Sequence, residues 1–509
     1  MTAERPTYWL TRFAILRVLG IVYAFAFLAA ARQLVPLVGH DGLLPADRYL
    51  TAVVSATGSR WDGFLRMPSL FWIHLSDGTL RAIAWTGFAG ALLVVAGLAN
   101  GVLMAILWML YTSIVPVGQE WYGYGWEIQL VETGFLAIFF VPALDPRPFP
   151  KRPAPVVVIW LFRWLIARIM WGAGLIKLRG DACWRELTCL DWHYETQPIP
   201  NPLSPLFHFA PRWTHRAGVF VNHVTELAAP LFALTPTRLA WAAGALMLFF
   251  QGLLILSGNL SFLNWLTIVP ILACFDDRLL RRFVPARLAV RAARAEAAAV
   301  PSRAASVAVA GLAVLVGVLS VPPVVNLLSA HQAMNTSFTS LPLVNTYGAF
   351  GSVGRERYEI VFEGTAAASA DAPEAEWREY EFPAKPGNPS RRPPVVAPYQ
   401  PRLDWAIWFA AMGTPQRYPW TVHLVWKLLH NDPGTLSLLA NDPFPGGPPR
   451  FIRARFYRYR FAPLRDPAGR FWIREPVGEW LPALSTDDPR LLQFLAAYGW
   501  GPEVPEPSR

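Results

Sequence analysis

Charge is scarce in this sequence. Asp, Glu, Lys and Arg supply 16% of its 509 residues, whereas hydrophobic types supply 54%. A soluble globular chain carries roughly a quarter charged residues, so an ordinary soluble domain is excluded. Lysine is rarer still, standing only at positions 151, 177, 385 and 427, and the positive charge is almost all arginine. Cysteine occurs three times with no CxxC spacing, which gives a thioredoxin-like redox centre no support. GxSxG, HExxH and a P-loop are all missing, and with them the signatures of a hydrolase elbow, a zinc protease and a nucleoside-triphosphate site. No cofactor fingerprint is visible.

The net charge of +10 does not mark a nucleic-acid binder. Residues 329–509 hold nearly equal numbers of acids and bases, and no basic stripe interleaved with aromatics lies on a polar segment. The excess sits in short connections between apolar runs, where it reports orientation in a bilayer.

What is present is a series of those runs. They fall near 13–34, 80–98, 102–116, 128–144, 156–178, 218–234, 239–256, 260–275 and 305–328. About twenty apolar residues are needed to cross roughly 30 Å of hydrocarbon, and the expectation is a polytopic α-helical bundle of about nine spans, with the lipid bilayer as its solvent. The first run follows Arg5 and Arg12 but exceeds an ordinary signal-peptide core, and reads as an uncleaved anchor. With the N-terminus cytoplasmic, the fourth connection carries Arg147, Lys151 and Arg152, the sixth carries Arg238, and the eighth has seven Arg against three acids. The odd connections lack that bias. Nine spans would then place residues 329–509 on the outer side.

That outer region changes pattern. RYEIVFEGT (357–365), WREYEFPA (377–384), RFIRARFYRYRFAP (450–463) and FWIREPVGEW (471–480) read as strands. LDWAIWFAAMG, with Asp404 as its cap, PWTVHLVWKLLHND and DPRLLQFLAAYGW read as helices. The result is an α+β domain with a small antiparallel sheet. The Arg/aromatic strand reads as half-buried, with Arg toward solvent, and the Pro-rich segment 383–401 as an extended wrap. The domain division is 1–328 for the bundle, with a structured external loop at 179–217, and 329–509 for the α+β domain.

Candidate residues concentrate in that loop. WHYETQPIPNPLSPLFHFAP (192–211) gathers Trp192, His193, Tyr194, Glu195, Gln197, Pro198, Asn201 and Pro202. Prolines stiffen it and lower the entropy lost on ordering, which suits a cap that docks the C-terminal domain or a client. Cys183 and Cys189 lie just upstream and could pair on an oxidising side, or stay reduced. Within the runs, Glu132 (beside Gln129), His223 and Glu226 are the costly polar groups that invite a functional reading; His223 and Glu226 are also explained by one interhelical hydrogen bond. HxxE alone is a weak metal signal, and no metal site is assigned. Lys177, near the outer end of its run, either snorkels to the interface or, if desolvated, serves as a base with His193 and Glu195 as its neighbours.

The chain resembles the lipase maturation factor family along nearly its whole length. YWLTRFAILRVLGIVYAFAFLAAARQLVPLVGHDGLLPA, HYETQPIPNPLSP, NTYGAFGSVGRERYEIVFEGT, EFPAKPGNPSRRPPVVAPYQPRLDWAIWFAA, LLHNDPGTLSLLANDPFP and VGEWLP carry the likeness, in order. The resemblance implies a membrane-bound factor for folding exported lipases, set in the endoplasmic reticulum in eukaryotic relatives. The Arg-, Ala- and Pro-rich composition points here to a bacterial inner membrane with a periplasmic C-terminal domain. A shorter stretch, WGAGLIKLRGDACW, is similar to the membrane region of vitamin K-dependent γ-glutamyl carboxylases. There a Lys matching Lys177 acts as base, while the adjacent second Lys of that group is Ile176 here. It implies the alternative of a membrane enzyme acting on a lipid or quinone through Lys177.

Overall fold

The computed structural model describes residues 6–236 and 238–501. Five of its helices are long and apolar enough to cross a bilayer: Trp9–Val38, Asp77–Ala96, Val156–Arg179, Arg238–Ser257 and Arg303–Leu328, the last drawn from two abutting helical pieces. Their hydropathy runs all round the cylinder, as suits helices packed on neighbours and lipid at once. Start signals are local: Ser76 accepts from the Thr79 amide at 3.1 Å and Asn100 from the Leu103 amide at 2.8 Å, each capping a helix N-terminus.

The other four expected crossings land on shorter helices. Gly101–Val117 has 17 residues and Gly125–Phe140 has 16. At 1.5 Å per residue these reach about 25 Å, short of the hydrocarbon thickness. Leu263–Ile271 is nine residues and runs into a 3₁₀ turn at Cys274. Arg212–His223 continues through a π turn, Val224–Ala228, into Ala229–Ala233. On length and composition, five helices qualify as spans among the described residues, against the nine expected; prolines, polar residues and irregular turns shorten the remainder.

The connections segregate to two ends. At one, the Asp277 amide donates to the Thr7 carbonyl (2.9 Å), Ala99 to Pro146 (3.1 Å), Val300 to Lys151 (3.0 Å), and the Arg12 guanidinium to the Arg152 carbonyl (2.9 Å). At the other, residues 39–44, 119–126, 180–201 and 257–261 meet the C-terminal region.

That region holds a four-stranded antiparallel sheet of β1 (Arg357–Thr365), β2 (Arg378–Glu379), β3 (Phe451–Phe461) and β4 (Trp472–Leu484), in the order β2-β1-β3-β4. The arginines of β3 reach carboxylates on neighbouring strands: Arg453 meets Glu363 directly across the ladder, and Arg458 and Arg460 meet Glu475. Helices Arg402–Ala410, Trp420–Leu429 and Pro489–Tyr498 accompany the sheet. Asp404 does not cap the first of these. The helix begins two residues earlier, and the Asp404 carboxylate is buried, accepting from the Ala384 and Lys385 amides at 2.6 and 2.8 Å. It fastens the proline-rich segment 383–401, which has no regular element of its own. One continuous apolar core runs from the spanning helices through Trp405, Trp420 and Leu428 to Leu495.

Candidate functional site at the outer end of the bundle

The loop after Val156–Arg179 folds into short helices at Ala182–Arg185, Leu190–Thr196 and Ser204–His208. Cys183 and Cys189 form a disulfide beneath them, with Cα atoms 4.8 Å apart. The prolines that follow prevent a longer helix and leave a run of backbone carbonyls without ladder partners. Arg357 supplies the donors. Its guanidinium, fully buried at the start of β1, donates to the carbonyls of Glu195 (3.0 Å), Gln197 and Pro198 (2.9 Å), while Glu359 takes its Nε at 2.8 Å. A planar five-donor group fits this task and an ammonium would not.

Other groups tie the same loop down. Glu195 accepts from the Phe461 amide of β3 at 2.7 Å, with His208 Nε2 3.7 Å away. Gln197 donates to the Ser257 carbonyl (2.8 Å), and Asn201 to those of Ile255 and Leu256. Asn259 bridges two distant prolines, donating to the carbonyls of Pro200 (3.2 Å) and Pro394 (2.8 Å). Tyr194 packs on Phe207 and His215, Trp192 lies under the Arg355 guanidinium at 3.9 Å, and Pro202 is half-buried. His193, Gln197, Pro198 and Asn201 are buried. The side chains of Gln197 and Asn201 are spent on contacts within the chain. His193 sits edge-on to Phe350, and burial, reinforced by the positive charge of Lys177, lowers its pKa to about 4. Burial raises Glu195 above the usual carboxylate range.

Lys177 is no snorkelling side chain. It is buried, donates to Glu226 at 2.5 Å and Asn222 at 2.9 Å, and stands 5.0 Å from the centre of the Trp184 ring. Asn222 also donates to Glu226, at 2.9 Å. Its donors are thus turned toward neighbouring helix residues rather than into solvent. His223 points elsewhere, meeting the Trp184 carbonyl at 2.9 Å. His223 and Glu226 therefore do not share a ligand, and no group of three or more His, Cys, Asp or Glu able to hold a metal occurs among the described residues.

Glu132 has a charge partner absent from the candidate residues. Arg168 pairs with it, and both are buried. Tyr347 (2.7 Å) and the Asn345 amide (3.0 Å) complete the carboxylate's shell, while Arg168 donates to the Asn345 carbonyl at 2.8 Å. A third pair, Glu127 with Arg402, lies at the same end. Arg168 carries a readable signal, a charge in mid-run with the insertion cost used for Glu132. Arg357, Arg402 and Asn259 lie on polar stretches and carry none.

Between the loop, the bundle end and the C-terminal region lies a cavity of about 480 Å³. It touches His193, Gln197, Pro198 and Glu226 from the candidate residues, Gln129, Asn264 and Thr267 from the short helices, and Trp405 and Trp408 from the C-terminal region.

Long apolar helices joined through a buried ion pair to an α+β region define an integral membrane protein of the helical class. The particular family follows from comparison. Residues 10–282 match the lipase maturation factor transmembrane domain, and residues 343–482 the lipase maturation factor C-terminal domain. Lipase maturation factor 1 of Bos taurus is 48% identical over 526 residues, covering 98% of this chain and 93% of its own. Lipase maturation factor 1 of Homo sapiens is 46% identical, covering 97% and 91%, and Lipase maturation factor 2 of Homo sapiens 30% identical, covering 98% and 86%. No solved structure matches the chain. The chain belongs to the lipase maturation factor family.

Proposed function

We propose that this protein is a membrane-anchored maturation factor for exported lipases, acting on the outer face of its membrane. The observation that carries the reading is the identity of 46–48% to proteins named Lipase maturation factor 1, sustained along 97–98% of the chain. A bacterial inner membrane, with the C-terminal domain periplasmic, is the setting we infer. Segregation of the Arg-rich connections to one end and of residues 329–501 to the other supports this orientation. It also supports treating the four shorter helices as crossings, for nine in all, and the division into 1–328 and 329–509. Client contact then falls to exposed apolar side chains of the loop, Leu203, Leu206 and Phe209, which lie beside the buried docking residues. The enzymatic alternative through Lys177 has no comparable support.

The test is deletion of the gene followed by measurement of secreted lipase activity per molecule. A fall in specific activity with lipase mass preserved is expected; unchanged specific activity for every exported lipase overturns the proposal. Reporter fusions at Asn201 and after Arg509 should both report the outer compartment, and a split result would overturn the orientation alone.

A further inference from the structure

The cavity of about 480 Å³ falls within the range of small-molecule sites, roughly 300–1,000 Å³. It is too small for a folded client, and its lining is layered. The inner part is made by amides and a hydroxyl on bundle helices: Gln129, Gln251, Asn264 and Thr267, all buried. Gln129 donates to the Thr267 hydroxyl at 3.3 Å and Asn264 to the Gln251 oxygen at 2.9 Å. Those two bonds leave Gln129 Oε1, Asn264 Oδ1 and the Gln251 amide nitrogen with no hydrogen bond to a described residue, although each residue is at least 97% buried. Buried polar atoms of native proteins find partners, in protein or in water, and three groups with bonding capacity to spare on one cavity wall suit a polar head.

The walls above are aromatic, with Trp126, Trp405, Trp408, Phe350 and Phe409. The mouth is at the outer side, where Gly354, Glu356 and Met412 are exposed. Charge is balanced throughout. Glu226 is held by Lys177, Arg357 by Glu359 and three carbonyls, and the rim residue Glu356 by Arg458. An ionised ligand would find no unpaired counter-ion, and burying one without a partner is costly.

We propose that this cavity binds an uncharged, hydroxyl- and carbonyl-bearing single-chain lipid of the monoacylglycerol class. Its polar head meets Gln129, Gln251 and Asn264, and its chain lies along the tryptophans toward the mouth. Both donors and acceptors are on offer, so a head that does both is selected over one that only accepts. The interaction is binding without turnover, and it stands independently of the maturation role.

Full-length protein in nanodiscs, exposed to a monoolein analogue bearing a chain diazirine, tests the assignment by mass-spectrometric mapping of crosslinks. Labels are expected on the cavity tryptophans and Met412. Excess monoolein should displace them; ionised oleate at pH 8 and a headless octadecene should not. The variant Gln129→Leu/Asn264→Leu should reduce cavity labelling about tenfold, as loss of two hydrogen bonds predicts, and Trp408→Ala provides a second variant should the first fail to fold. Equal displacement by oleate overturns the neutral-head assignment. Labels confined to the lipid-facing surface, or unchanged in both variants, overturn the site. Lipase maturation is not the readout, so failure here is separable from failure of the proposed function.

Discussion

Glu127 and Arg402 form an ion pair 2.8 Å long, with both side chains fully shielded from solvent and a sequence separation of 275. Arg402 also donates to the Trp121 carbonyl at 2.6 Å and lies 3.4 Å from the centre of the Tyr122 ring. Tyr111 takes up the second oxygen of Glu127. The pair binds the bundle to the C-terminal region by charge rather than by apolar contact alone.

Removing one member should therefore be worse than removing both. Arg402→Leu is expected to destabilise by about 3–5 kcal/mol, because a lone carboxylate stays buried. Glu127→Gln/Arg402→Met should recover a large part of that loss. Thermal unfolding of the purified protein in nanodiscs measures both, and additive losses in the double variant would refute the coupling.

Arg357 should tolerate neither charge removal nor its usual conservative replacement. Lysine can reach one or two of the loop carbonyls but not three together with Glu359. Arg357→Lys is expected to expose the loop around Thr196–Asn201 to limited proteolysis, and Arg357→Ala to do so further. Protection equal to wild type in the lysine variant would mean that the guanidinium fork is not what holds the loop.

Lys177 and Glu226 give the discriminating test of base chemistry. Lys177→Met should lose maturation activity by leaving Glu226 unpaired, and Lys177→Met/Glu226→Gln should regain it. A catalytic base could not be restored in this way. An inactive, well-folded double variant would reopen the enzymatic reading.

Acidification should weaken the fold through two histidines. Burial, as the leading cause, lowers both His193 and His423 to about 4, so the unfolded chain binds the protons more readily. Stability is then fully present above pH 6.5 and is lost as pH falls toward 4. For one such group the loss between pH 7 and pH 5 is about 2 kcal/mol. Asp404 works in the opposite direction. Burial raises it to about 6, so its protonation below that value favours the folded state and offsets part of the loss. His193→Phe isolates one contribution: its melting temperature should fall less between pH 7 and pH 5 than that of wild type. Parallel falls would rule His193 out as a source.

The long spans and three of the four strands were legible in the sequence because their signals are local, whereas the strand expected over 377–384 shrinks to Arg378–Glu379. Apolar runs at 13–34 and 156–178 extend for a full membrane thickness, and β1, β3 and β4 fall on stretches that alternate. Partnership was not local. Asp404 reads as a helix cap until its acceptor role for Ala384 and Lys385, twenty residues upstream, is seen. His223 and Glu226 share a spacing, yet the π turn from Val224 to Ala228 and the position of Lys177 send them to different partners. The docking loop was visible as an unusual composition. That its buried members, Gln197 and Asn201, face inward depends on Arg357 and on the carbonyls of Ile255 to Ser257, which no property of the loop discloses.

The spacing of Glu127 and Arg402 also sets a clock. At the ribosome's pace of roughly 5–20 residues per second, the carboxylate waits on the order of tens of seconds for its guanidinium to be made. Throughout that interval the nascent bundle carries an unmatched acid at its outer end, so a chain truncated before position 402 is marked as unfinished by its own electrostatics.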